Sequence, residues 1–398
     1  MSGSRSMPRS TPRSIPLWKM VIFSLIPLLS VEILIRLVAF VIYGFSAYFL
    51  LYGFTDAYID HAEEGHTATY DGYFKFPPSR ELKQYGMFAE ATPIQINNHG
   101  FRGVDFESEK ADGAFRVVCM GGSSTFGFYN RDAHTYPAVL GARLAATFPD
   151  LGIEVINAGV PHMNTDNIDA MLQGEILAFE PDVVTLYSAF NDAGEVKDEI
   201  WAQSASRWLH GHVASYVALK RVLEALGGPI LHSLWSEYLA QSDADYVQRQ
   251  ISLHLPGYRR NVERFVDLVR SAGAEPLLIR QPMTTLPGDP AKQGLAYDEE
   301  IGGIRTRLEQ NGWVKPHEVT MLVHVALVSS LDRIAAEKNV AVIDNIEIMD
   351  RDAGFFASYV HLSERGNEAL ASALEERLVA KIRERQNRAP SAVVSGEN

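Results

Sequence analysis

The sequence contains very little cysteine and comparatively little positive charge. Cys119 is the only cysteine among 398 residues, which excludes an intrachain disulfide and any zinc site built from several cysteines. It lies in an apolar run, where a buried and unreactive thiol is expected. Lysine and arginine together number 36 against 49 aspartates and glutamates, so the net charge is −13. This balance gives a nucleic-acid role no electrostatic support.

The glycine-rich stretch at 116–127 also lacks the features of nucleotide-binding loops. No lysine follows in the Gly-x-x-x-x-Gly-Lys pattern, and its glycines do not have the Gly-x-Gly-x-x-Gly spacing. Thr125 occupies the place where a Gly-x-Ser-x-Gly turn requires glycine. What remains is an apolar run that ends in two glycines followed by Ser123. This pattern is typical of a buried parallel strand with a sharp turn at its carboxyl end.

A long apolar stretch covers residues 18–54, with Glu32 and Arg36 inside it. These two residues are four apart and can pair on one helical face. About 20 apolar residues cross a bilayer, and the stretch far exceeds the apolar region of a cleaved signal peptide. We therefore expect an uncleaved transmembrane or interfacial anchor over 18–54. The crossing segment itself is placed either before Phe40 or over 37–54.

Charge predicts the orientation of this anchor. Residues 1–55 carry five basic residues and one acidic residue, a net charge of +4, which leaves −17 for the rest of the chain. Positive residues that flank a membrane span stay on the cytoplasmic side. We expect residues 1–17 to form a disordered cytoplasmic tail and the body of the protein to lie outside the cytoplasm.

Strand-like apolar runs alternate with helical patterns after residue 110. The strand-like runs are 115–120, 153–157, 183–187, 276–280 and 340–343. The helical patterns are 134–148, 164–179, 257–272, 317–337 and 364–386. Such alternation predicts an α/β fold with a parallel sheet. Five strands fit a flavodoxin-like three-layer αβα sandwich better than a full dinucleotide-binding fold.

The remaining segments are assigned around this sandwich, which we place at 111–386. Residues 55–110 are expected to be a lead-in segment that leans on the main domain, and 387–398 a disordered tail. A helical insertion is expected over 193–255, between the third strand and its return helix. It could cap the site, face the membrane or a partner, or simply pack as an embellishment.

Polar residues follow the carboxyl ends of the first three predicted strands, and these ends meet at one edge of a parallel sheet. Ser123 follows the first strand, Gly159 the second and Asn191 the third. A serine near a backbone N–H and an amide has the composition of a nucleophile with oxyanion donors. His361, just before the final helix, supplies a base. Asp192 is also interpretable as a cap for the helix after the third strand.

These residues resemble the SGNH (GDSL-type) hydrolase family over about residues 95–385. The similar blocks are Gly-Gly-Ser at 121–123, Asn-Ala-Gly at 157–159, Ala-Phe-Asn-Asp at 189–192 and Ser-Tyr-Val-His at 358–361. The resemblance implies that Ser123 is the nucleophile, His361 the base, and Gly159 and Asn191 the oxyanion donors.

Two further segments, Gly-Phe-Arg-Gly at 100–103 and Gly-Gly-Ser-Ser-Thr-Phe-Gly at 121–127, are similar to a membrane-anchored bacterial branch of this family. That likeness implies a single-pass protein of the bacterial inner membrane, with its catalytic domain on the periplasmic or extracytoplasmic side.

Three positions depart from the family pattern. Gly122 replaces the aspartate of the first block, Ala189 replaces a glycine, and Ser358 replaces the aspartate of the triad. The last change matters most, because a carboxylate normally fixes the tautomer of the histidine and stabilises its imidazolium. We expect His361 to rely on a backbone carbonyl, on the Ser358 hydroxyl, or on Asp350 or Asp352.

The sequence thus predicts a membrane-anchored serine esterase that acts on an acyl or acetyl ester, carried by a glycan or a lipid, through a Ser–His acyl-enzyme. No metal or other cofactor is expected, and the histidines at 210, 212, 232 and 254 lack the spacing of a metal site. Two alternatives stay open. One is an O-acyltransferase on an envelope polysaccharide, with a membrane acyltransferase as partner. The other is a non-catalytic domain that binds a glycan or a protein.

Overall fold

The computed structural model describes residues 26–27, 29–37, 58–59, 68–69, 72–85, 92–194, 242–285 and 296–388. They belong to two compact units. The first comprises 1–56 and 199–239, and the second comprises 57–198 and 240–398. The tail predicted at 1–17 and most of the insertion predicted at 193–255 lie outside the described residues.

In the first unit, residues 29–37 are helical. The predicted pairing within this helix is confirmed, since Arg36 Nη2 lies 2.7 Å from Glu32 Oε1. Several apolar side chains of the helix are exposed, among them Leu29, Ile33 and Leu34. The rest of the predicted anchor, apart from residues 26–27, lies outside the described residues.

The second unit is an α/β domain. Its strands are β1 Tyr58–Ile59, β2 Ala68–Thr69, β3 Phe74–Lys75, β4 Arg80–Tyr85, β5 Thr92–Ile96, β6 Phe115–Gly121, β7 Ile153–Gly159, β8 Val183–Tyr187, β9 Glu275–Ile279 and β10 Ala341–Ile343. Its α-helices are α1 Ser123–Phe126, α2 Tyr136–Thr147, α3 Thr165–Gly174, α4 Phe190–Ala193, α5 Ala244–Ser271, α6 Tyr297–Asn311, α7 Pro316–Lys338, α8 Asn345–Met349 and α9 Glu364–Arg388. A 3-10 turn at Ile176–Phe179 follows α3.

The central sheet has five parallel strands in the order β10-β9-β8-β6-β7. Numbered along the chain from β6, this order is 2-1-3-4-5 read from β7, so the flavodoxin-like prediction is confirmed. Every residue of β6 is buried, as expected for a strand covered on both faces. The predicted burial of Cys119 in this strand is confirmed, and burial raises the pKa of its thiol to about 12, which disfavours the reactive thiolate.

Helices cover the sheet in two groups. Helix α2 packs against α9, and α5 packs against α3 and α7. Among the described residues, α7 is long and apolar enough to cross a membrane, but most of it is buried inside the domain. We therefore assign α7 to the core.

Besides the short helices α1, α4 and α8, which were not predicted, two long helices differ from the sequence prediction. Helix α5 begins at Ala244, so residues 244–255 belong to the return helix and not to the insertion. Pro256, which normally breaks a helix, lies inside α5, while the Asp243 side chain caps its start by accepting from the Tyr246 N–H at 2.8 Å. Helix α6 was not predicted, because its apolar stripe is short and two adjacent glycines interrupt it.

The lead-in segment is attached to the edge of the central sheet. Strands β4 and β5 form an antiparallel pair, and Arg102 bridges Ile96 to Asn157 of β7. Residues 57–110 fall within the same compact unit as the sheet. The lead-in segment is therefore a part of this domain and not a domain of its own.

Candidate active site

The turn that carries Ser123 requires glycine at two successive positions. A Cβ atom on Gly121 would lie 2.5 Å from the carbonyl oxygen of Tyr187. A Cβ atom on Gly122 would lie 2.5 Å from Nδ2 of Asn191. Both distances are too short for real atoms, so a side chain at 121 would clash with the backbone of β8, and one at 122 would force the Asn191 amide to move.

Arg102 of the lead-in segment braces the far end of this turn. Its Nη1 donates to the carbonyl oxygens of Phe126 at 3.1 Å and Gly127 at 2.8 Å, and its Nη2 donates to Asn130 O at 2.7 Å. Its Nε pairs with Asp132 Oδ1 at 2.8 Å. The side chain is buried, and its bonds satisfy carbonyls at the carboxyl end of α1 that have no partner within the helix. The lead-in segment thereby fixes the nucleophile turn.

Ser123 and His361 lie in direct contact. The Oγ of Ser123 is 2.8 Å from Nε2 of His361, within the range of an O–H···N hydrogen bond. On its other side, Nδ1 of His361 is 2.6 Å from the Oγ of Ser358. The Ser358 Oγ also accepts the backbone N–H of His361 at 3.3 Å. If Nδ1 carries the proton and donates it to Ser358, Nε2 is left to accept the proton of Ser123.

The two aspartates named from the sequence as alternative orienters have other partners. Asp350 accepts from the backbone N–H of Ala296. Asp352 accepts from Gly354 N at 2.7 Å and pairs with Arg365 at 2.5 Å. Of the three side chains predicted to orient His361, Ser358 alone contacts it in the described part of the chain. The sequence had left this choice open.

The environment of His361 favours the neutral imidazole. The side chain is 9% exposed. Burial lowers its pKa to about 4, and the electrostatic interaction with nearby His162 acts in the same direction, because both disfavour a positive charge on the imidazole of His361. His162 itself has a φ of 68°, a left-handed backbone conformation that is uncommon for residues other than glycine.

Aromatic side chains surround the imidazole. Ring centroids of Phe128 and Tyr129 lie 5.5 and 5.2 Å from that of His361. Tyr359 is 6.3 Å away and also contacts Phe190 at 5.3 Å. Tyr359 is 42% exposed, so an aromatic surface borders the serine and the histidine on the solvent side.

The two predicted oxyanion donors have different hydrogen-bond partners in the structure. Asn191 Nδ2 donates to Met163 O at 2.7 Å and lies beside Gly122, next to Ser123. The second N–H of this amide is available to a substrate oxygen. Gly159 is still within β7, and its N–H donates to Asn157 Oδ1 at 3.1 Å. This N–H thus has a partner within the chain, and the role of Gly159 as an oxyanion donor stays a prediction.

Asp192 connects the loop after β8 to the start of α3. Its carboxylate accepts from Thr165 N at 2.9 Å, from the Thr165 hydroxyl, and from Ser188 Oγ at 3.1 Å. Burial raises its pKa to about 6. The interpretation of Asp192 as the cap of its own helix is wrong, since Ala189 is the N-cap of α4 and makes no side-chain capping bond. Asp192 instead accepts the N–H of the first residue of α3, whose N-cap is Asn164.

Sequence reasoning missed Gln281, which lies two residues after β9. This buried side chain contacts the residues that adjoin Ser123 and Asn191. A polar residue just beyond a strand end was a signal that could have identified it, since this is where the other site residues lie. The loop that carries Gln281 also contacts the His361 loop, because Thr284 N donates to Tyr359 O at 2.9 Å.

The described residues contain no group of three or more histidine, cysteine, aspartate or glutamate side chains that could hold a metal ion. The imidazole of His254 lies against Gly194, just after α4. The histidines at 210, 212 and 232 lie outside the described residues.

With this geometry in place, the family can be assigned. The model of the GDSL-like lipase/acylhydrolase family matches residues 119–369, more than half of the chain. The chain belongs to the GDSL-like lipase/acylhydrolase family. It is therefore an SGNH-type serine hydrolase that acts on ester bonds, and the resemblance seen in the sequence is confirmed at the level of the family.

Solved structures of GDSL-type and other hydrolases are similar to this family member. Axe2, an acetylxylan esterase from Geobacillus stearothermophilus, is 16% identical with a TM-score of 0.40, and the match covers 67% of this chain and 95% of Axe2. LAE5, an alpha/beta hydrolase enzyme from the metagenome of Lake Arreo, Spain, is 15% identical with a TM-score of 0.39, covering 66% of this chain and 94% of LAE5. None of the curated proteins matches this chain.

Proposed function

We propose that this protein is a membrane-anchored serine esterase in which Ser123 is the nucleophile and His361 the general base. The observation that carries the proposal is the 2.8 Å contact between Ser123 Oγ and His361 Nε2. Nucleophile and base must lie within hydrogen-bond reach for such chemistry. The family already implies ester substrates.

The reaction follows from this contact. His361 Nε2 takes the proton of Ser123 as Oγ attacks the carbonyl carbon of the ester. The tetrahedral intermediate then collapses, and His361 gives its proton to the departing alkoxide. The resulting alcohol leaves the site, and Ser123 carries the acyl group. A water molecule, deprotonated by His361, then attacks the acyl carbon and releases the acid. Ser123 regains its proton, and the enzyme is restored.

Negative charge on the carbonyl oxygen requires hydrogen-bond donors that are already in place. We assign two donors to this task. The Asn191 amide is fixed by its bond to Met163 O at 2.7 Å. The N–H of Ser123 heads α1 and has no acceptor inside that helix.

Ser358 takes the orienting role that a carboxylate has in most serine triads. Its hydroxyl oxygen, 2.6 Å from Nδ1, fixes the tautomer of His361. Being neutral, it stabilises the imidazolium less than a carboxylate would. The proposal is therefore a Ser–His dyad with a hydroxyl support and moderate catalytic power.

We propose membrane attachment from the apolar stretch near the N-terminus, which belongs to the first unit. The stretch at 18–54 is long enough to span a bilayer, and the described helix at 29–37 exposes apolar side chains. The positive N-terminal tail favours the cytoplasm. We place the protein in a bacterial inner membrane as a single-pass protein with the hydrolase domain outside the cytoplasm.

A second candidate reaction is transfer of the acyl group to a sugar hydroxyl on an envelope polysaccharide. The aromatic surface formed by Tyr129, Phe190 and Tyr359 favours it, because aromatic faces pack well against the apolar face of a sugar ring. With an activated acyl ester and an oligosaccharide together, faster acyl transfer than hydrolysis would favour this reading.

The first test is labelling of the full chain, in detergent, with a fluorophosphonate, followed by mass spectrometry. We expect an adduct on Ser123 that is absent from Ser123→Ala and greatly reduced in His361→Ala. Ser271→Ala, at the far end of α5, is the matched serine control and should label as wild type does. A folded wild-type protein that forms no adduct would instead support a non-catalytic domain that binds a glycan or a protein.

A further inference from the structure

We infer that Gln281 is a positioning residue, which holds the neighbours of Ser123, Asn191 and His361 in one hydrogen-bond network. The inference rests on the roles proposed above for those three residues. Gln281 lies just beyond β9 and is 6% exposed. Its side-chain oxygen and nitrogen bond to Ala189, Phe190 and Ser124, so its effect is exerted through these neighbours.

One side of the network reaches the Asn191 turn. The Oε1 of Gln281 accepts from Ala189 N at 2.7 Å and from Phe190 N at 2.8 Å. Ala189 is the N-cap of α4 and makes no side-chain capping bond. Because the first N–H groups of a helix have no partner within it, Gln281 supplies the acceptor that this turn would otherwise lack. It thereby fixes the backbone that directly precedes Asn191.

The other side reaches the nucleophile and the base. The Nε2 of Gln281 donates to Ser124 Oγ at 3.1 Å, and the Ser124 hydroxyl donates to Val360 O at 3.2 Å. Ser124 follows Ser123, and Val360 precedes His361. All of these groups are buried, where hydrogen bonds reinforce one another and a lost partner is costly. A single side chain therefore couples the ends of β6 and β8 to the His361 loop.

Another buried side-chain amide lies elsewhere in the core and offers a matched control. Asn345 is fully buried and donates to the Tyr187 hydroxyl at 3.0 Å. It begins α8, and in the described part of the chain its amide donates to Tyr187 and not to Ser124, Ala189 or Val360. Replacing either amide by leucine leaves a buried partner unsatisfied, so both changes are expected to lower stability. Only the change at Gln281 should displace the loops that carry Ser123, Asn191 and His361.

The first measurement is the rate at which a fluorophosphonate labels Ser123 in the full chain, at a temperature where thermal melting shows every variant folded. Displacement of reacting groups by about 1 Å costs about 100-fold. We expect a loss of this order in Gln281→Leu and a rate within about threefold of wild type in Asn345→Leu. Equal rates in these two variants would overturn the inference.

A coupling test asks whether the glutamine acts through Ser124. Ser124→Ala should slow labelling about tenfold, since it removes only the branch toward Val360, and the double variant with Gln281→Leu should be no slower than Gln281→Leu alone. Gln281→Glu keeps the acceptor for Ala189 and Phe190 but loses the donor to Ser124, so it should behave like Ser124→Ala. Independent losses that multiply in the double variant would contradict a shared network.

A third readout does not depend on catalysis. In the full chain with labelled histidine, the proton titration of His361 can be followed by NMR and assigned through His361→Gln. We expect the pKa to move toward its ordinary value in Gln281→Leu, because a loosened loop admits water, and to stay unchanged in Asn345→Leu. If wild type shows no labelling at Ser123, the proposed function fails. This titration then decides alone whether Gln281 positions His361.

Discussion

The hydroxyl oxygen of Ser358 lies 2.6 Å from Nδ1 of His361, in the place where a serine triad has a carboxylate. The same oxygen accepts the backbone N–H of His361 at 3.3 Å, so the residue belongs to the tight turn that shapes the loop. A hydroxyl in this position fixes the imidazole by geometry but adds no negative charge. The consequences can be measured.

Replacing Ser358 by aspartate should increase activity. A charged acceptor forms a stronger hydrogen bond with the imidazolium, by about 1–2 kcal/mol, which corresponds to about tenfold in rate. Ser358→Ala removes the support altogether and should lower kcat by about tenfold or more. The measurement is kcat/KM on an aryl acetate ester for the three proteins. Equal rates in all three would show that Ser358 has no part in catalysis.

The acid limb of the pH profile should lie unusually low. His361 must be neutral to accept a proton, and burial holds its pKa at about 4. We expect kcat/KM to be flat through neutral pH and to fall only as the pH drops through about 4. In Ser358→Asp the added carboxylate favours the charged imidazole, so the limb should move to higher pH. A wild-type limb near pH 6.5 would contradict the buried environment of His361.

The same shift affects stability. The unfolded chain binds the His361 proton near its ordinary pKa of 6.5, while the folded chain resists it until about 4. The free energy of unfolding should therefore decrease as the pH falls through this window. Chemical denaturation at several pH values, compared with His361→Gln, isolates this contribution. The variant should show a shallower decrease, and equal slopes would argue against the shifted pKa.

Gly122→Ala should impair catalysis with little effect on folding. A Cβ atom there would lie 2.5 Å from Nδ2 of Asn191, and the amide must move to make room. Loss of one oxyanion donor costs about 100-fold or more in kcat. Gly141→Ala on α2 is the matched control, because its Cβ would make an ordinary contact at 3.4 Å with Val155. The rates on one ester substrate, with melting curves for both variants, check this expectation.

These positions also show how far the sequence alone could lead. The strands and the convergence of Ser123 and Asn191 could be predicted, because apolar runs and parallel topology determine which loops meet. The role of Gly159 could not be settled in the same way, because β7 extends to Gly159 and periodicity does not locate a strand end to within one or two residues. Gln281 was missed for another reason. Its partners are backbone groups far away in the chain, and no local pattern marks them.

Arg102 should matter more for stability than its place outside the central sheet would indicate. It is buried and bonded to Asp132 and to three carbonyls around α1. Arg102→Ala leaves these groups unpaired, and we expect a loss of about 3 kcal/mol in the free energy of unfolding. Arg143→Ala, which removes the partly exposed pair with Glu375, should cost less than about 1 kcal/mol. Similar losses in urea denaturation would show that Arg102 is not a brace.

The proposed orientation of the chain in a membrane can be tested because Cys119 is the only cysteine. Cys119 is buried, so the wild-type chain should not react with a membrane-impermeant maleimide while folded. Val104 is 84% exposed on the hydrolase domain, and Val104→Cys creates a single accessible thiol. With the outer membrane permeabilised and the inner membrane intact, we expect Val104→Cys to be labelled. Arg9→Cys, in the N-terminal tail, should be labelled only after lysis. The opposite pattern would place the hydrolase domain in the cytoplasm, and labelling of neither variant before lysis would exclude a domain exposed outside the inner membrane.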